Sequence, residues 1–367
     1  MYTFEIAQRI DQIDPQEWDA LCGAQPFVQH RWLRLTERVL RNYQPRYALA
    51  RRAGRLEAGA ICSIRDQFQN RFLRSSANWM LHRFPCVRCG LPITFDAGLL
   101  VQPEADQTTL PALLESLNRC AGQAHASFVG VDHLRADHPA WPLLDQARYH
   151  RAQLLTETYL EIAWPSLEDY LTALPKKRRQ RIRAIQRRAE QERIVIEQVE
   201  LSSLGEETLR RLRQMVGDVF RRHGEPDTYI DDLYAQAAAI LGDEFRLMVA
   251  RQNGEIVGSI GVLHSQGELA AKWIGLDYAR TLNTSTYLAF NVALIAAAIQ
   301  CGARRLRMGA TSYETKQYFG AVAEERFAGL AMRSRALNLL AGAALHITGG
   351  RVATLPQPTR ATRAKTV

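Results

Sequence analysis

Four side chains that can donate or accept a proton lie together near residue 315. They follow an apolar strand predicted at Arg305–Met308, and they are Tyr313, Glu314, Lys316 and Tyr318. A carboxylate, an ammonium and two phenols are groups that general acid and base catalysis uses. An extended segment would place Glu314, Lys316 and Tyr318 on one side, because strand side chains alternate. A helix would instead give Tyr313 and Lys316 a shared face. The alternative is a cluster of solvated surface residues.

A second set of residues suits the binding of an anion. Small polar side chains directly precede an apolar helix predicted to run to Gln300, and they are Asn283, Thr284, Ser285 and Thr286. The free N–H groups at a helix N terminus carry a partial positive charge, which attracts phosphate. Arg280 adds a full positive charge just upstream. The same residues could serve only as a helix cap.

The length and composition indicate a folded protein with two domains. A chain of 367 residues is too long for one ordinary core, and its 47% hydrophobic and 23% charged residues are typical of globular proteins. The N-terminal residues lack the pattern of a secretory signal, and no apolar stretch is long enough to span a membrane, so we expect a cytoplasmic protein. The net charge of +9 favours an anionic partner.

The six cysteines are too few for a disulfide scaffold and are expected to be reduced thiols. Cys86 and Cys89 form a lone CxxC pair downstream of His82. Without a second ligand pair, the spacing predicts structural thiols more than a zinc or redox site, and no metal is expected.

Two similar β-hairpins predict an internal duplication. Residues 48–59 and 247–258 each read as an apolar strand, a short turn with glycine and a second strand with glycine. Each hairpin follows a helical pattern and precedes a helix that leads to another apolar strand. Those helices are predicted at Leu110–Gln123 and Thr286–Gln300. The order predicts an α+β protein with two tandem domains, each a mixed, mostly antiparallel sheet flanked by helices.

The predicted boundaries are 1–155 for the first domain and 156–335 for the second. Residues 336–367 read as a short apolar segment followed by a basic, disordered tail.

Several segments in a shared order resemble the FemAB-like branch of the GNAT superfamily of acyltransferases. The resemblance rests on Glu17–Leu21 with the following Pro26-Phe27 and Trp32-Leu33, on the basic segment Leu174–Arg183, and on Arg304–Gly309 followed by Tyr313–Lys316. It covers roughly residues 15–325. It implies a tandem GNAT fold and the transfer of acyl groups from CoA, or of aminoacyl groups from tRNA, to amines.

The resemblance also implies where the substrates bind. The segment around Asn283 would hold the donor, and the loop Phe220–Asp227 would cover the acceptor, which makes His223 a candidate base and Glu225 a candidate substrate contact. Trp273, on the strand before the donor loop, could line a substrate tunnel or pack in the core. The usual glycines of the GNAT donor loop are missing here.

We therefore predict an N-acyltransferase whose second domain is catalytic and whose first is structural or shapes the acceptor site. Acyl-CoA is the expected co-substrate, a small-molecule amine is the expected acceptor, and Tyr318 is a further expected substrate contact. The amine would attack directly, with no tightly bound cofactor and no covalent enzyme intermediate.

Three alternatives remain open. Lys176–Arg193 holds nine basic residues with an apolar stripe at Ile182, Ile185 and Ala189, so a tRNA or a carrier protein could deliver the acyl group. The chain could also be a non-catalytic binding protein. The apolar stretch Leu337–Ile347, close to Arg333 and Arg335, could contact a membrane surface.

Overall fold

The structure is a computed structural model that describes residues 1–23, 25–65, 85–154 and 156–347. Two mixed sheets flanked by helices confirm the predicted tandem α+β architecture. The strands are β1 Tyr2–Ala7, β2 Gln44–Arg52, β3 Arg55–Arg65, β4 Cys86–Cys89, β5 Leu99–Val101, β6 Phe128–Leu134, β7 His150–Gln153, β8 Glu157–Glu161, β9 Ile194–Glu200, β10 Phe245–Gln252, β11 Glu255–Ser265, β12 Glu268–Leu276, β13 Arg305–Gly309, β14 Val322–Glu324 and β15 Phe327–Met332.

The helices surround these sheets, and those at Thr109–Gln123 and Thr286–Gln300 lie where the sequence predicts them. They are α1 Pro15–Cys22, α2 His30–Val39, α3 Thr109–Gln123, α4 Trp141–Gln146, α5 Leu167–Ala173, α6 Lys176–Gln191, α7 Glu206–His223, α8 Leu233–Leu241, α9 Tyr278–Thr281, α10 Thr286–Gln300, α11 Tyr313–Tyr318 and α12 Arg335–Ile347. None of the helices in the described part of the chain is long and apolar enough to cross a membrane.

The two predicted hairpins are present and have the same turn. Ala53-Gly54 has φ angles of 49° and 83°, and Asn253-Gly254 has φ angles of 52° and 85°. Positive φ at both central positions is the type I′ geometry, whose twist matches that of the flanking strands. The duplication predicted from the sequence therefore extends to the backbone of the turns.

The hairpins also share a hydrogen bond that stabilises the turn. Nη1 of Arg51 donates to the carbonyl of Gly54 at 3.1 Å, and Nη1 of Arg251 donates to the carbonyl of Gly254 at 3.2 Å. In each hairpin the strand register shifts directly before that arginine. A bulge, a turn and a side-chain contact that recur 200 positions apart indicate two copies of one unit.

The first sheet contains a strand that the sequence order would assign to the second. The first sheet has the order β1-β2-β3-β4-β6-β15-β7 with β5 paired to β3, and the second has the order β14-β8-β13-β12-β11-β10-β9. The C-terminal strand β15 thus lies between β6 and β7 of the first sheet. The domain boundary predicted at residue 155 remains a prediction. Strand β15 comes from the sequence after this boundary and pairs with strands from before it.

The halves also share one hydrophobic core. The indole of Trp273 stacks on that of Trp32 with ring centroids 5.8 Å apart, and Phe245 and Tyr229 lie at 5.2 and 5.8 Å from Trp273. Trp32 comes from the first half and the other three from the second. Burial of these aromatic rings helps to hold the halves together, in addition to the pairing of β15 within the first sheet.

Some sequence predictions fall outside the described residues. His82 lies within 66–84, and the predicted disordered tail lies within 348–367. Cys86 and Cys89 are buried, and every cysteine in the described part of the chain is unpaired. Among the same residues there is no group of three or more side chains that could hold a metal.

The matched turns predict matched stabilities. Gly54→Ala and Gly254→Ala should each lower the free energy of unfolding by about 1–2 kcal/mol, because an L side chain is disfavoured at φ near 85°. Neither site has an atom within 4 Å of the added Cβ, so sterics do not contribute. Urea titration followed by circular dichroism measures the change.

Gly122→Ala is the control, because its added Cβ also meets nothing within 4 Å, but it lies in α3 without a positive φ. Gly122→Ala should raise the free energy of unfolding by up to about 1 kcal/mol. Equal effects at all three glycines would contradict the backbone explanation.

Candidate active site

A buried arginine joins the two halves beside the second sheet. Arg307 on β13 has only 7% of its side chain exposed. Its Nη1 and Nη2 donate to the two carboxylate oxygens of Asp96 at 2.9 and 3.1 Å. Its Nε and Nη2 donate to the carboxylate of Glu157, at the start of β8, at 3.0 and 2.6 Å. Two bidentate carboxylates on one guanidinium are geometrically specific and strongly held.

Burial and the charge of Arg307 shift the pKa values of neighbouring carboxyl groups in opposite directions. Burial alone would raise the pKa of Asp96, but the charge of Arg307 more than offsets it, so that the pKa lies below its usual value. Glu268, at the start of β12, lies 3.6 Å from Arg307 without a close hydrogen bond. Burial raises the pKa of Glu268. The cluster therefore contains two carboxylates hydrogen-bonded to Arg307 and a third carboxylate beside them, Glu268, which is more basic than Asp96.

Lys272 on β12 is the second buried cation. Its Nζ donates to the carbonyl of Ile93 at 2.6 Å and lies 4.6 Å from the centroid of the Phe27 ring. Both partners come from the first half. Burial lowers the pKa of Lys272 to about 8, against the opposing effect of Glu157. The side chain therefore contacts the first half while its charge stays within reach of the Arg307 cluster.

The strands that carry these residues separate at this point. β12 pairs with β13 in parallel only from Glu268 to Ala270, opposite Arg305–Arg307. Beyond Ala270, β12 follows β11 and β13 follows β8. Trp273 has a φ of 53° in the middle of β12, where the pairing with β11 shifts register. This bulge turns β12 away from β13, so the two strands diverge between Lys272 and Gly309.

The side chain of Lys316 lies beside the end of β13, the other strand that diverges here. It is buried on α11, and its Nζ lies 3.3 Å from the carbonyl oxygen of Gly309. The same oxygen accepts a hydrogen bond from the hydroxyl of Thr158 at 2.5 Å. Burial lowers the pKa of Lys316 to about 8, and Glu157 opposes that shift. The lysine is held by one neutral oxygen and has no carboxylate partner within the described residues.

The helical form of 313–318 decides between the two arrangements that the sequence left open. Tyr313 and Lys316 lie on the same face of α11, and the Tyr313 hydroxyl donates to the carbonyl of Thr156 at 2.7 Å. Glu314 is exposed on the solvent side. The Tyr318 hydroxyl donates to the carbonyl of Lys177 in α6 at 3.4 Å. The structure therefore groups Tyr313 with Lys316 and separates Glu314 from them.

The predicted acceptor loop is shorter than the sequence suggests. His223 is the last residue of α7 and is exposed, because the helix continues until Gly224 ends it in a left-handed conformation with φ of 70°. The segment beginning at Phe220 is thus helical up to His223, which corrects the loop prediction. Glu225 is half-buried in the connection that follows.

Trp273, predicted to contact substrate or to pack in the core, lies in the core. Only 7% of it is exposed, and it is enclosed by aromatic rings of both halves. Its contribution to the site is the bulge in β12 described above.

The predicted anion site at the N terminus of α10 already holds a carboxylate. Oε2 of Glu192 accepts hydrogen bonds from the backbone N–H and the hydroxyl of Ser285, at 2.7 and 2.6 Å. Arg188 donates to the other carboxylate oxygen of Glu192 at 2.8 Å and to the carbonyl of Asn283 at 2.9 Å. A helix N terminus favours an anion, and here the chain supplies its own.

The rest of that segment is internally bonded. The Thr284 hydroxyl donates to the carbonyl of Thr281 at 3.0 Å and lies 2.7 Å from the Thr286 hydroxyl. Arg280 pairs with Glu255 on β11 and lies 3.8 Å from Asp277. Of the side chains predicted to bind a donor, those of Arg280, Thr284, Ser285 and Thr286 therefore have partners within the protein, whereas Asn283 contributes its backbone carbonyl.

The basic helix α6 runs beside both segments. Ile182, Ile185 and Ala189 are buried at the spacing that the sequence predicts. The cationic side chains on the other faces are largely exposed, and Arg181 lies 5.0 Å from the ring centroid of Tyr318 on α11. Near its other end, Arg188 contacts the loop before α10. One positive helix thus connects the Lys316 region with the N terminus of α10.

A comparison with family models places this chain. Residues 9–333 match the FemAB-like model, whose description is peptidoglycan biosynthesis or recognition. This chain belongs to the FemAB-like family. The match confirms the resemblance inferred from the sequence, and a comparison with curated proteins found no match.

Solved structures agree with the FemAB-like assignment. A FemX structure has a TM-score of 0.60 at 11% identity and covers 92% of this chain and 99% of its own. L-PGS from Bacillus licheniformis has a TM-score of 0.57 at 14% identity and covers 92% and 97%. A tandem GNAT protein from the clavulanic acid biosynthesis pathway has a TM-score of 0.53 at 13% identity and covers 91% and 99%. At such identities the similarity concerns the fold.

The sequence analysis did not identify the charged cluster around Arg307. Asp96, Glu157 and Glu268 are distant from one another in sequence and have no recognisable motif. One signal was available, because Arg307 stands between Leu306 and Met308 in a strand predicted to be buried. A charge at such a position requires a partner.

The cluster predicts a large difference between two arginines on one strand. Arg307→Met should lower the free energy of unfolding by about 3–5 kcal/mol, because it leaves Asp96 and Glu157 buried without a counter-charge. Arg305→Met removes a pair with the exposed Glu161 and should cost less than about 1 kcal/mol. Urea titration of both variants measures the two free energies of unfolding. Similar losses in both would show that Arg307 does not join the two halves.

Proposed function

We propose that this FemAB-like protein forms amide bonds by transferring an acyl or aminoacyl group from an activated donor to an amine. The observation that carries the proposal is Lys316, held beside the carbonyl of Gly309 where β12 and β13 diverge. A buried lysine with a pKa near 8 can be either charged or neutral under physiological conditions. Such a group suits a reaction in which negative charge develops on an oxygen.

The reaction would proceed by direct attack. The amine nitrogen forms a bond to the carbonyl carbon of the donor, and the bond from that carbon to the donor's oxygen or sulfur breaks. The ammonium of Lys316 would stabilise the oxyanion and give its proton to the leaving group. Glu268, whose pKa is raised by burial and which has no close hydrogen bond to Arg307, is the carboxylate of the cluster that could take a proton from the amine.

The acceptor would lie between the halves. Lys272, Phe27 and the segment containing Asp96 bring groups from both halves to the same face of the second sheet. This position supports a first half that shapes the acceptor site. The family description supports a cell-wall amine as the acceptor class. The unpaired cysteines of the described residues are in keeping with a reducing compartment such as the cytoplasm.

Contacts around α10 help to distinguish the two candidate acyl donors. Acyl-CoA is the donor predicted from the sequence, yet its pyrophosphate would have to displace Glu192 from Ser285. A longer polyanion could instead lie along the exposed cations of α6, close to Tyr318 and Lys316. These contacts favour an aminoacyl-tRNA, with acyl-CoA as the second candidate.

The rate should depend on the protonation of Lys316. Because its pKa is about 8, kcat should fall as the pH rises above 8 and the ammonium is lost. Lys316→Arg should move this falling limb to higher pH, since arginine keeps its proton. Lys316→Met should lower kcat by about 10²–10³-fold at pH 7, as expected for the loss of one oxyanion donor. Initial rates between pH 6 and 10 measure all three.

Gln317→Met provides the control, because it places the same side chain at an exposed neighbouring position of α11. Its kcat should stay within about twofold of the wild type. Lys316→Met should keep its melting temperature, since removing a buried charge relieves desolvation. A Lys316→Met variant with normal turnover would refute the catalytic assignment.

The donors can be separated by binding. If CoA binds at the N terminus of α10, Glu192→Gln should tighten acyl-CoA binding by about five- to tenfold, because it removes the competing charge. Glu190→Gln, on the exposed face of α6, is the control. Isothermal titration calorimetry with acetyl-CoA and long-chain acyl-CoA gives the affinities.

If aminoacyl-tRNA is the donor, acyl-CoA should not bind either variant. Bulk aminoacyl-tRNA should then bind with a steep dependence on salt, and Lys176→Gln with Lys177→Gln should reduce that slope. Absence of binding to every donor would favour a non-catalytic protein and contradict the proposal.

A further inference from the structure

Helix α12 presents three leucines to solvent and turns Asn338 and Gly342 toward the protein. In α12, the side chains of Leu337, Leu339 and Leu340 are 55%, 69% and 66% exposed. Asn338 between them is buried, at 8% exposure. An ordinary surface helix places its apolar residues toward the core. The orientation of α12 is therefore the reverse of what burial of apolar surface would favour.

Specific contacts hold the helix in this orientation. The amide of Asn338 donates to the carbonyl of Arg148 at 2.9 Å and accepts from the backbone N–H of Met332 at 2.8 Å. The backbone carbonyl oxygen of Asn338 lies 2.9 Å from Nε2 of His150 on β7. Gly342 lies so close to His150 that a Cβ would come within 2.4 Å of the ring. Because these contacts occupy the inner side, the leucines cannot turn inward.

A basic groove lies directly beside the leucines. It has a volume of about 660 Å³ and lies between α12 and the turn before β7, with Leu339 at its rim. Its lining includes three arginines, and they are Arg148, Arg333 and Arg335. None of the three forms an ion pair with another residue in the described part of the chain. Asp145 is the one acidic residue of the lining.

Most of the net charge of the chain lies in its sequence from residue 326 onward. Residues 326–367 contain seven Arg or Lys and no Asp or Glu, which accounts for seven of the nine net positive charges of the chain. Four of the seven follow α12 directly, and they are Arg351, Arg360, Arg363 and Lys365. The remaining 325 residues are nearly neutral. A positive region next to exposed leucines is complementary to a surface that is both anionic and apolar.

We propose that α12 and the basic groove form a docking surface for a membrane rich in anionic lipid. The leucines enter the boundary between headgroups and acyl chains, and the groove arginines bind lipid phosphates. A second copy of the chain fits less well, because pairing two such faces would bring like charges together. A nucleic acid would use the arginines and leave the leucines exposed. This docking surface shares no residue with the Lys316 region and does not depend on the proposed reaction.

Vesicle co-sedimentation of the full chain tests the docking surface. The wild type should bind vesicles of phosphatidylglycerol and phosphatidylcholine and should bind vesicles of phosphatidylcholine alone at least tenfold more weakly. Leu337→Gln, Leu339→Gln and Leu340→Gln combined should reduce binding to the anionic vesicles by at least about tenfold. Arg333→Gln with Arg335→Gln should reduce it by about fivefold per arginine, and less at high salt.

Val195→Gln is the matched control, because Val195 is 61% exposed on the edge strand β9 of the other sheet. It should bind as the wild type does, and the variants should keep the wild-type melting temperature. Failure of the wild type to bind anionic vesicles would overturn the proposal. So would a wild-type dimer in sedimentation equilibrium that the leucine variant makes monomeric, since that result assigns the face to a second copy.

Discussion

The position of Arg307 constrains most of the structure. A guanidinium removed from water must find its counter-charges inside the protein, and here one comes from each half, Asp96 from the first and Glu157 from β8. Satisfying both fixes the segment around Asp96 against the second sheet. Lys272, which bonds to Ile93 in the same segment, adds a second attachment. Around Arg307 the second sheet therefore meets the first half through charged and polar contacts, in addition to the shared aromatic core.

The insertion of β15 into the first sheet and the shared aromatic core act together with this cluster. β15 belongs to the first sheet although the second half precedes it in the chain, and Trp273 carries the second half into the core of the first. The bulge at Trp273 links this packing to the site, because the same backbone distortion separates β12 from β13. The conformation of Trp273 thus accompanies both its packing against the first half and the separation of β12 from β13.

The sequence predicted those features that local patterns determine. Hairpin turns with glycine, the apolar stripe of α6 and the helix α10 all depend on residues close in the chain, and they were found. Lys316 was predicted as a site residue on a similar local signal, since it follows a strand and a glycine turn, and this role stays a prediction. Features that depend on long-range contacts were missed. No local signal shows that Glu192 would reach Ser285, or that Asp96 would pair with a residue in the other half.

Strand β15 has a consequence for how the chain is made. A ribosome adds about 5–20 residues per second, so β6 and β7 exist for roughly ten seconds or more before the strand that lies between them is synthesised. During that interval the first sheet has two unpaired strand edges, which invite pairing with other chains. The nascent protein therefore depends on rapid completion, or on a chaperone that covers those edges. Early release from the ribosome would yield an incomplete sheet in the half that was synthesised first.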